Sequence, residues 1–122
     1  ERCAGADIAF IGLAAPTSTD QRLAAIGEAT EGFLYTVAVA GTTGERGEES
    51  NYNEVISRVR SHTSAPVALG FGISTPQQAS AAADAGADGV IIGSRLVREA
   101  TESSSPAEDC QLLVEQFAQA LR

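Results

Sequence analysis

Three short stretches carry the residue types from which an anion site can be built: Gly41-Thr42-Thr43-Gly44, Gly70-Phe71-Gly72-Ile73-Ser74 and Gly93-Ser94. Each follows an apolar run that reads as a strand. Glycine lets the backbone approach a ligand closely. Bare N–H groups ahead of a short helix starting near Ser94 would form a cradle whose positive helix end favours a phosphate. A single glycine of this kind is explained equally well by a tight strand-to-helix turn; three at successive strand ends favour a ligand. Tyr35, Thr43 and Phe71 belong to the same edge, and an aromatic between two glycines makes an apolar wall beside a phosphate. The polar stretch Gly41 to Asn51, with Glu45, Arg46, Glu48 and Glu49, reads either as a lid over that edge or as a solvated connection. No carboxylate occupies a strand C-terminus, so the pair needed for general acid–base chemistry is missing from this edge. Asp7, Asp84 and Asp88 precede or lie between strand starts, and His62 sits in a helix-end turn that reads as surface.

The elements that must position these residues follow from the apolar pattern. Ile8 to Ala14, Phe33 to Ala40, Val67 to Gly70 and Val90 to Ile92 are nearly continuous apolar runs, which predict parallel strands buried on both faces. Helix signals fall between them. Ser18 with Gln21 resembles a capping box, with Leu23 and Ile26 facing the core and Gly27 and Gly32 weakening and then ending the helix. Val55, Ile56 and Val59 place a helix from about Asn53 to the Ser61–Pro66 turn. Thr75-Pro76-Gln77-Gln78 supplies cap, first-turn proline and capping-box glutamine, and Gly86 stops the Ala-rich helix that follows. Ser94 to about Glu102 predicts a short helix. After the polar linker Thr101 to Ser105, Ser105-Pro106-Ala107-Glu108 opens a terminal helix whose Cys110, Leu113, Val114, Phe117 and Leu121 form one stripe. Strands alternating with helices imply an α/β domain with right-handed crossovers, formed of four parallel βα units.

Composition narrows the function classes. The chain has 122 residues, 8 basic and 16 acidic side chains and a net charge of −8, so it reads as a single domain spanning 1–122. It is too short for a closed eight-stranded barrel, which needs at least roughly 200 residues. All the basic residues are scattered arginines, which argues against nucleic acid, and no apolar run suits a membrane span or a signal peptide. A cytoplasmic protein is the expectation. Cys3 and Cys110 lie far apart with one His and no metal-ligand spacing, favouring buried free thiols over a disulfide. The sequence contains no Met, which leads us to expect residues upstream of Glu1.

Taken in register, Ile8 to Pro16, Phe33-Leu34-Tyr35 leading to Ala40-Gly41-Thr42-Thr43-Gly44, Gly70-Phe71-Gly72-Ile73-Ser74 and Ala87-Asp88-Gly89-Val90-Ile91-Ile92-Gly93-Ser94 resemble the C-terminal half of the tryptophan synthase alpha subunit family. The resemblance covers essentially the whole chain and matches family strands five to eight. It departs at Gly41-Thr42-Thr43-Gly44, where the family usually has Gly-Val-Thr-Gly, and more so in the acidic stretch after it. The resemblance implies half of a TIM (β/α)8 barrel. It also implies a part in the lyase reaction of tryptophan biosynthesis that cleaves indole-3-glycerol phosphate to indole and glyceraldehyde 3-phosphate. By the same resemblance, the backbone of Gly44, Gly72, Gly93 and Ser94 would hold the phosphate. Tyr35 would line the substrate site and support the catalytic carboxylate, Thr43 would sit on the lid, and Phe71 would contact the indole or glycerol part. The catalytic Glu and Asp of the family fall on its second strand and the loop after it, outside the matched half. No catalytic acid is therefore expected in this chain, which alone would be inactive. No cofactor or metal is implied here; pyridoxal phosphate would belong to the beta subunit, a partner of the parent protein. Two other readings stay open: half of another phosphate-binding (β/α)8 enzyme, and a noncatalytic phosphate-binding half-barrel that pairs with itself.

Overall fold

The computed structural model describes residues 4–38 and 48–122, and no side chain at 4 or 48–51. The elements in chain order are a 3₁₀ turn at Ala4–Ala6, β1 (Leu13–Ala14), α1 (Asp20–Ala29), β2 (Leu34–Val37), α2 (Glu48–Arg60), β3 (Val67–Gly70), α3 (Pro76–Asp84), β4 (Gly89–Ile91), α4 (Ser94–Glu102) and α5 (Pro106–Ala120). All strands are parallel and lie in the order β1-β2-β3-β4, with Leu13 beside Tyr35, Tyr35 beside Ala68 and Ala68 beside Gly89. Sequential parallel neighbours joined by helices are half of an eight-stranded barrel, as the βα alternation predicts. Successive strand C-termini therefore fall side by side.

The strands differ from the expectation of burial on both faces. Alternate residues Leu34, Thr36, Ala38, Val67 and Leu69 are buried, whereas their neighbours Tyr35, Val37 and Ala68 are only partly covered. One helical layer covers one face of the sheet; the concave face has no layer against it within the described residues. The first strand shrinks for the same reason. Of the run Ile8 to Ala14 only Leu13–Ala14 pairs as strand, and Leu13 keeps 53% of its surface exposed at the sheet edge, with Ile8, Phe10 and Ile11 also exposed.

Two hydrophobic clusters fill the space under the helices. Leu23 of α1 and Val59 of α2 close over Ala14, Leu34 and Val67, while Ile56 of α2, Ala79 and Ala82 of α3, and Leu113 and Phe117 of α5 close over Ala38 and Leu69. The fully buried Ala79 and Ala82 explain why α3 can lie so near the sheet. On α5 only part of the predicted stripe is inward: Leu113 and Phe117 are buried and Cys110 is half-buried with a free thiol, but Val114 and Leu121 face out. Cys3 lies outside the described residues.

Helix termini correct several sequence expectations. Thr19, not Ser18, caps α1 by accepting from the Arg22 N–H; the Ser18 hydroxyl instead accepts from the Ala15 N–H in the turn before it. Gly27 lies within α1, which ends at Ala29, ahead of the expected stop at Gly32. It sits inside the helix, where a Cβ would come within 2.2 Å of the His62 carbonyl oxygen, so its role is close packing on the turn after α2. Helix α2 begins at Glu48 rather than near Asn53, because Glu-rich sequence that reads as polar loop is also favoured in a first helical turn. The α3 capping box is formed as predicted: Thr75 accepts from the Gln78 N–H and the Gln78 side chain accepts from the Thr75 N–H.

Candidate functional site

At the C-terminal end of β3 the chain makes an unusual turn. Phe71 has φ 64° and Gly72 φ 88°, two left-handed residues in succession, of which the first is a bulky aromatic. Left-handed backbone is unfavourable for such a side chain and marks a conformation that the surrounding structure enforces. The turn holds the Phe71 ring outward, 65% exposed, with its edge toward Tyr35 at a centroid distance of 6.4 Å and an interplanar angle of 70°. Tyr35 reaches this position by crossing over Gly70. A Cβ on Gly70 would lie 2.3 Å from the Tyr35 Oη, so only glycine leaves room for the phenol.

The next βα unit supplies the donors. Gly93 is the N-cap residue of α4 and, unlike Thr19 and Thr75 at α1 and α3, provides no side-chain cap. The Gly93 carbonyl accepts from the Leu96 and Val97 N–H groups, which leaves the N–H groups of Ser94 and Arg95 ahead of the first intrahelical acceptor. A Cβ built on Gly93 would meet nothing within 4 Å, and its φ of −109° lies outside the left-handed region. Crowding by the described residues therefore does not demand glycine there.

These pieces enclose one cleft of about 270 Å³, lined by Tyr35, Phe71, Gly72, Ile73, Ser74, Ile91, Gly93, Ser94, Arg95 and Arg98. Of the residues picked out from sequence, Tyr35, Phe71, Gly72, Gly93 and Ser94 are thus together. Thr43, Gly44 and most of the expected lid from Gly41 to Asn51 lie outside the described residues, and the backbone of 48–51 forms the start of α2. Arg95 and Arg98 were not legible as site residues, because their charge reads as one more scattered arginine; their spacing one and four residues beyond Ser94, on a helix that opens at the cleft, is the signal that could have found them. Arg95 is paired with Glu99 one turn along α4. Among the described residues that line the cleft there is no carboxylate.

The residues set aside as structural occupy other places. Asp88 accepts from the Val67 N–H at 2.7 Å and from Arg60 at 2.6 Å, and the Val67 hydrogen bond above all holds its carboxyl below the ordinary aspartate value. Asp20 meets Arg58 at 2.7 Å, with His62 at 3.7 Å, and the Arg58 hydrogen bond keeps this carboxyl low as well. His62 is therefore a half-buried neighbour of an ion pair rather than a free surface residue. Among the described residues no group of three His, Cys, Asp or Glu is arranged to hold a metal, and no helix is long and apolar enough to cross a membrane.

Comparison with known proteins gives a consistent result. The family profile described as "Tryptophan synthase alpha chain" matches residues 1–122. The tryptophan synthase alpha chain of Novosphingobium aromaticivorans is 41% identical over 110 residues, covering 86% of this chain and 41% of its own length. That of Arabidopsis thaliana is 40% identical over 116 residues, covering 94% of this chain and 42% of its own length. Among solved structures, tryptophan synthase from M. tuberculosis superposes with a TM-score of 0.79 at 33% identity over 98% of this chain and 43% of that one. The tryptophan synthase a2b2 complex of Pyrococcus furiosus does so with 0.80 at 34% identity over 92% of this chain and 46% of that one. The chain thus spans about two-fifths of the length of the curated relatives it matches.

Proposed function

This chain belongs to the tryptophan synthase alpha chain family, and from that premise we propose that its cleft is the phosphate and indole side of the alpha active site, which cleaves indole-3-glycerol phosphate to indole and glyceraldehyde 3-phosphate. The observation that carries the reading is the convergence of Gly72, Gly93 and Ser94 with the Tyr35–Phe71 pair in one cleft. An uncapped helix start offers N–H donors and a positive dipole end to a dianion. The two rings beside it offer an apolar wall on which an indole can stack. Gly44 and Thr43 would complete the phosphate site and lid from the preceding strand end.

The reaction also needs a proton delivered to the indole ring carbon and a proton taken from the glycerol hydroxyl. Among the described residues lining the cleft there is no carboxylate for either step, and we assign the acid and base to family strands outside the matched half. This chain would bind and orient the substrate, with turnover requiring the other strands. The open outer edges of β1 and β4 and the uncovered concave face would be the surfaces those strands complete. A beta subunit would be the partner of the parent protein, receiving the indole and supplying pyridoxal phosphate; a relative is described in an a2b2 complex, and no cofactor is assigned to this chain.

The chain has no Trp, so the emission of an indole ligand is read without protein indole in the background. Titrating the chain into an unreactive analogue of indole-glycerol phosphate should shift that emission to the blue as the ring leaves water, and inorganic phosphate should reverse the shift by competition. An emission spectrum that stays unchanged to saturating chain concentration would overturn the assignment.

A further inference from the structure

Three arginines of the described residues are answered by carboxylates. Arg58 meets Asp20, Arg60 meets Asp88 and Arg95 meets Glu99. Arg98, like Arg22 and Arg122, has no ion pair or hydrogen bond to its guanidinium among the described residues, but of these three it alone lines the cleft. It lies four residues beyond Ser94, hence on the same face of α4, and it lines the same cleft as Gly72, Gly93 and Ser94. An exposed cation beside uncapped helix donors adds what those donors lack. Backbone N–H groups and a helix end contribute partial charge, whereas a guanidinium offers a full charge and a planar fork that matches two phosphate oxygens.

On the phosphate reading above, we infer that Arg98 is the residue that makes this site select a dianionic phosphate monoester, by a bidentate contact from the α4 side. Arg95 does not serve, because Glu99 already neutralises it. The charged groups around Arg98 are Arg95, Glu99 and Glu102 of α4 and Asp109 of α5, which border a second recess on its other side. The selection works through the ligand's own ionisation: a phosphate monoester gains its second charge near about pH 6, and the full charge of Arg98 rewards the dianion more than backbone donors do.

The test is an amide-resolved NMR titration of the chain with glycerol 3-phosphate at a series of pH values. The unmodified chain should respond at Gly72, Gly93 and Ser94, with affinity rising as the ligand passes from monoanion to dianion. Arg98→Gln should lower the affinity about 10- to 100-fold, the range for losing a charge-assisted hydrogen bond, and should flatten that rise. Arg98→Lys should keep the rise with a smaller loss of affinity. Arg22→Gln, on the exposed surface of α1, should change neither. Should the Gln variant lose its dispersed spectrum, the Lys variant carries the test, since a point charge cannot replace a bidentate fork and unchanged affinity would count against the assignment. Full affinity and an unaltered rise in Arg98→Gln would overturn the role of Arg98 and leave the phosphate site standing. No response at the three amides of the unmodified chain would overturn both.

Discussion

The two ends of the β-sheet are made on opposite principles. Where the strands start, polar groups answer one another: Asp88 accepts from the Val67 N–H and from Arg60, Arg60 also donates to the Gly86 carbonyl at 2.7 Å, and the Asp88 N–H donates back to the Val67 carbonyl at 2.9 Å. Where the strands finish, the demands are left open. Phe71 and Gly72 hold left-handed backbone, α4 begins without a side-chain cap, Arg98 makes no ion pair among the described residues and the Phe71 ring is mostly in solvent. A folded chain tolerates such an end only because the other end and the helical layer hold the sheet. If the open end binds the phosphate as proposed, stability and binding are separated along the strand axis, and substitutions at the two ends should separate them in experiment.

The largest effect is expected from the closed end. Gly27→Ala would gain about 1 kcal/mol of helix propensity, but its Cβ would sit 2.2 Å from the backbone oxygen of His62, which cannot rotate away. Overpacking of this kind outweighs the gain, and we expect a net loss of about 2–3 kcal/mol in urea denaturation, with the midpoint falling and the cleft chemically unchanged. A variant as stable as the parent would show that α1 does not rest on the turn after α2.

Gly93→Val tests the open end. A Cβ there meets none of the described residues, and the added methyl groups would enter the volume proposed for phosphate. Affinity for the indole-glycerol phosphate analogue should fall about 100-fold, or roughly 2.7 kcal/mol, measured by the same indole emission. Undiminished affinity would place the phosphate elsewhere.

The smallest effect concerns acid. The folded-state value of Asp88 lies below its ordinary 3.8, so its contribution to stability is fully present above 3.8 and is lost as pH falls through the lower folded value. Asp88→Asn keeps an oxygen for the Val67 N–H but removes the charge. Because the side chain is 46% exposed, solvent screening limits the change to about 1 kcal/mol. Denaturation midpoints of parent and variant should converge in acid and diverge toward neutral pH; a constant offset across that range would assign Asp88 no charge-dependent role.

Sequence reasoning reached the open end better than the edges. Four strand positions, their parallel order and the grouping of Tyr35, Phe71, Gly72, Gly93 and Ser94 were legible, because glycine and turn chemistry at a strand end are local signals. The capping box at Thr75 and the start of α4 were legible for the same reason. What apolar runs could not show was how many faces would be covered: Ile8 to Leu13 has the composition of a buried strand, yet lies at an edge with only β2 beside it. Nor could they show Gly27 as a packing site, since the His62 carbonyl that requires it is distant in sequence. Arg98 escaped for a related reason. Its significance lies in lining the cleft with no ion pair among the described residues, and both are properties of the tertiary structure.

The central claim is that this chain contributes phosphate binding and an aromatic wall, with the acid and base supplied by other strands of the barrel. Positioned acid and base groups typically contribute about 10²–10⁴-fold each, so their absence should be unmistakable. The direct measurement is indole release from indole-3-glycerol phosphate, by the 122-residue chain alone and after mixing with a fragment carrying the first four strands of a family member. The account predicts no release by the chain alone and release on mixing; substantial turnover by the chain alone would contradict it.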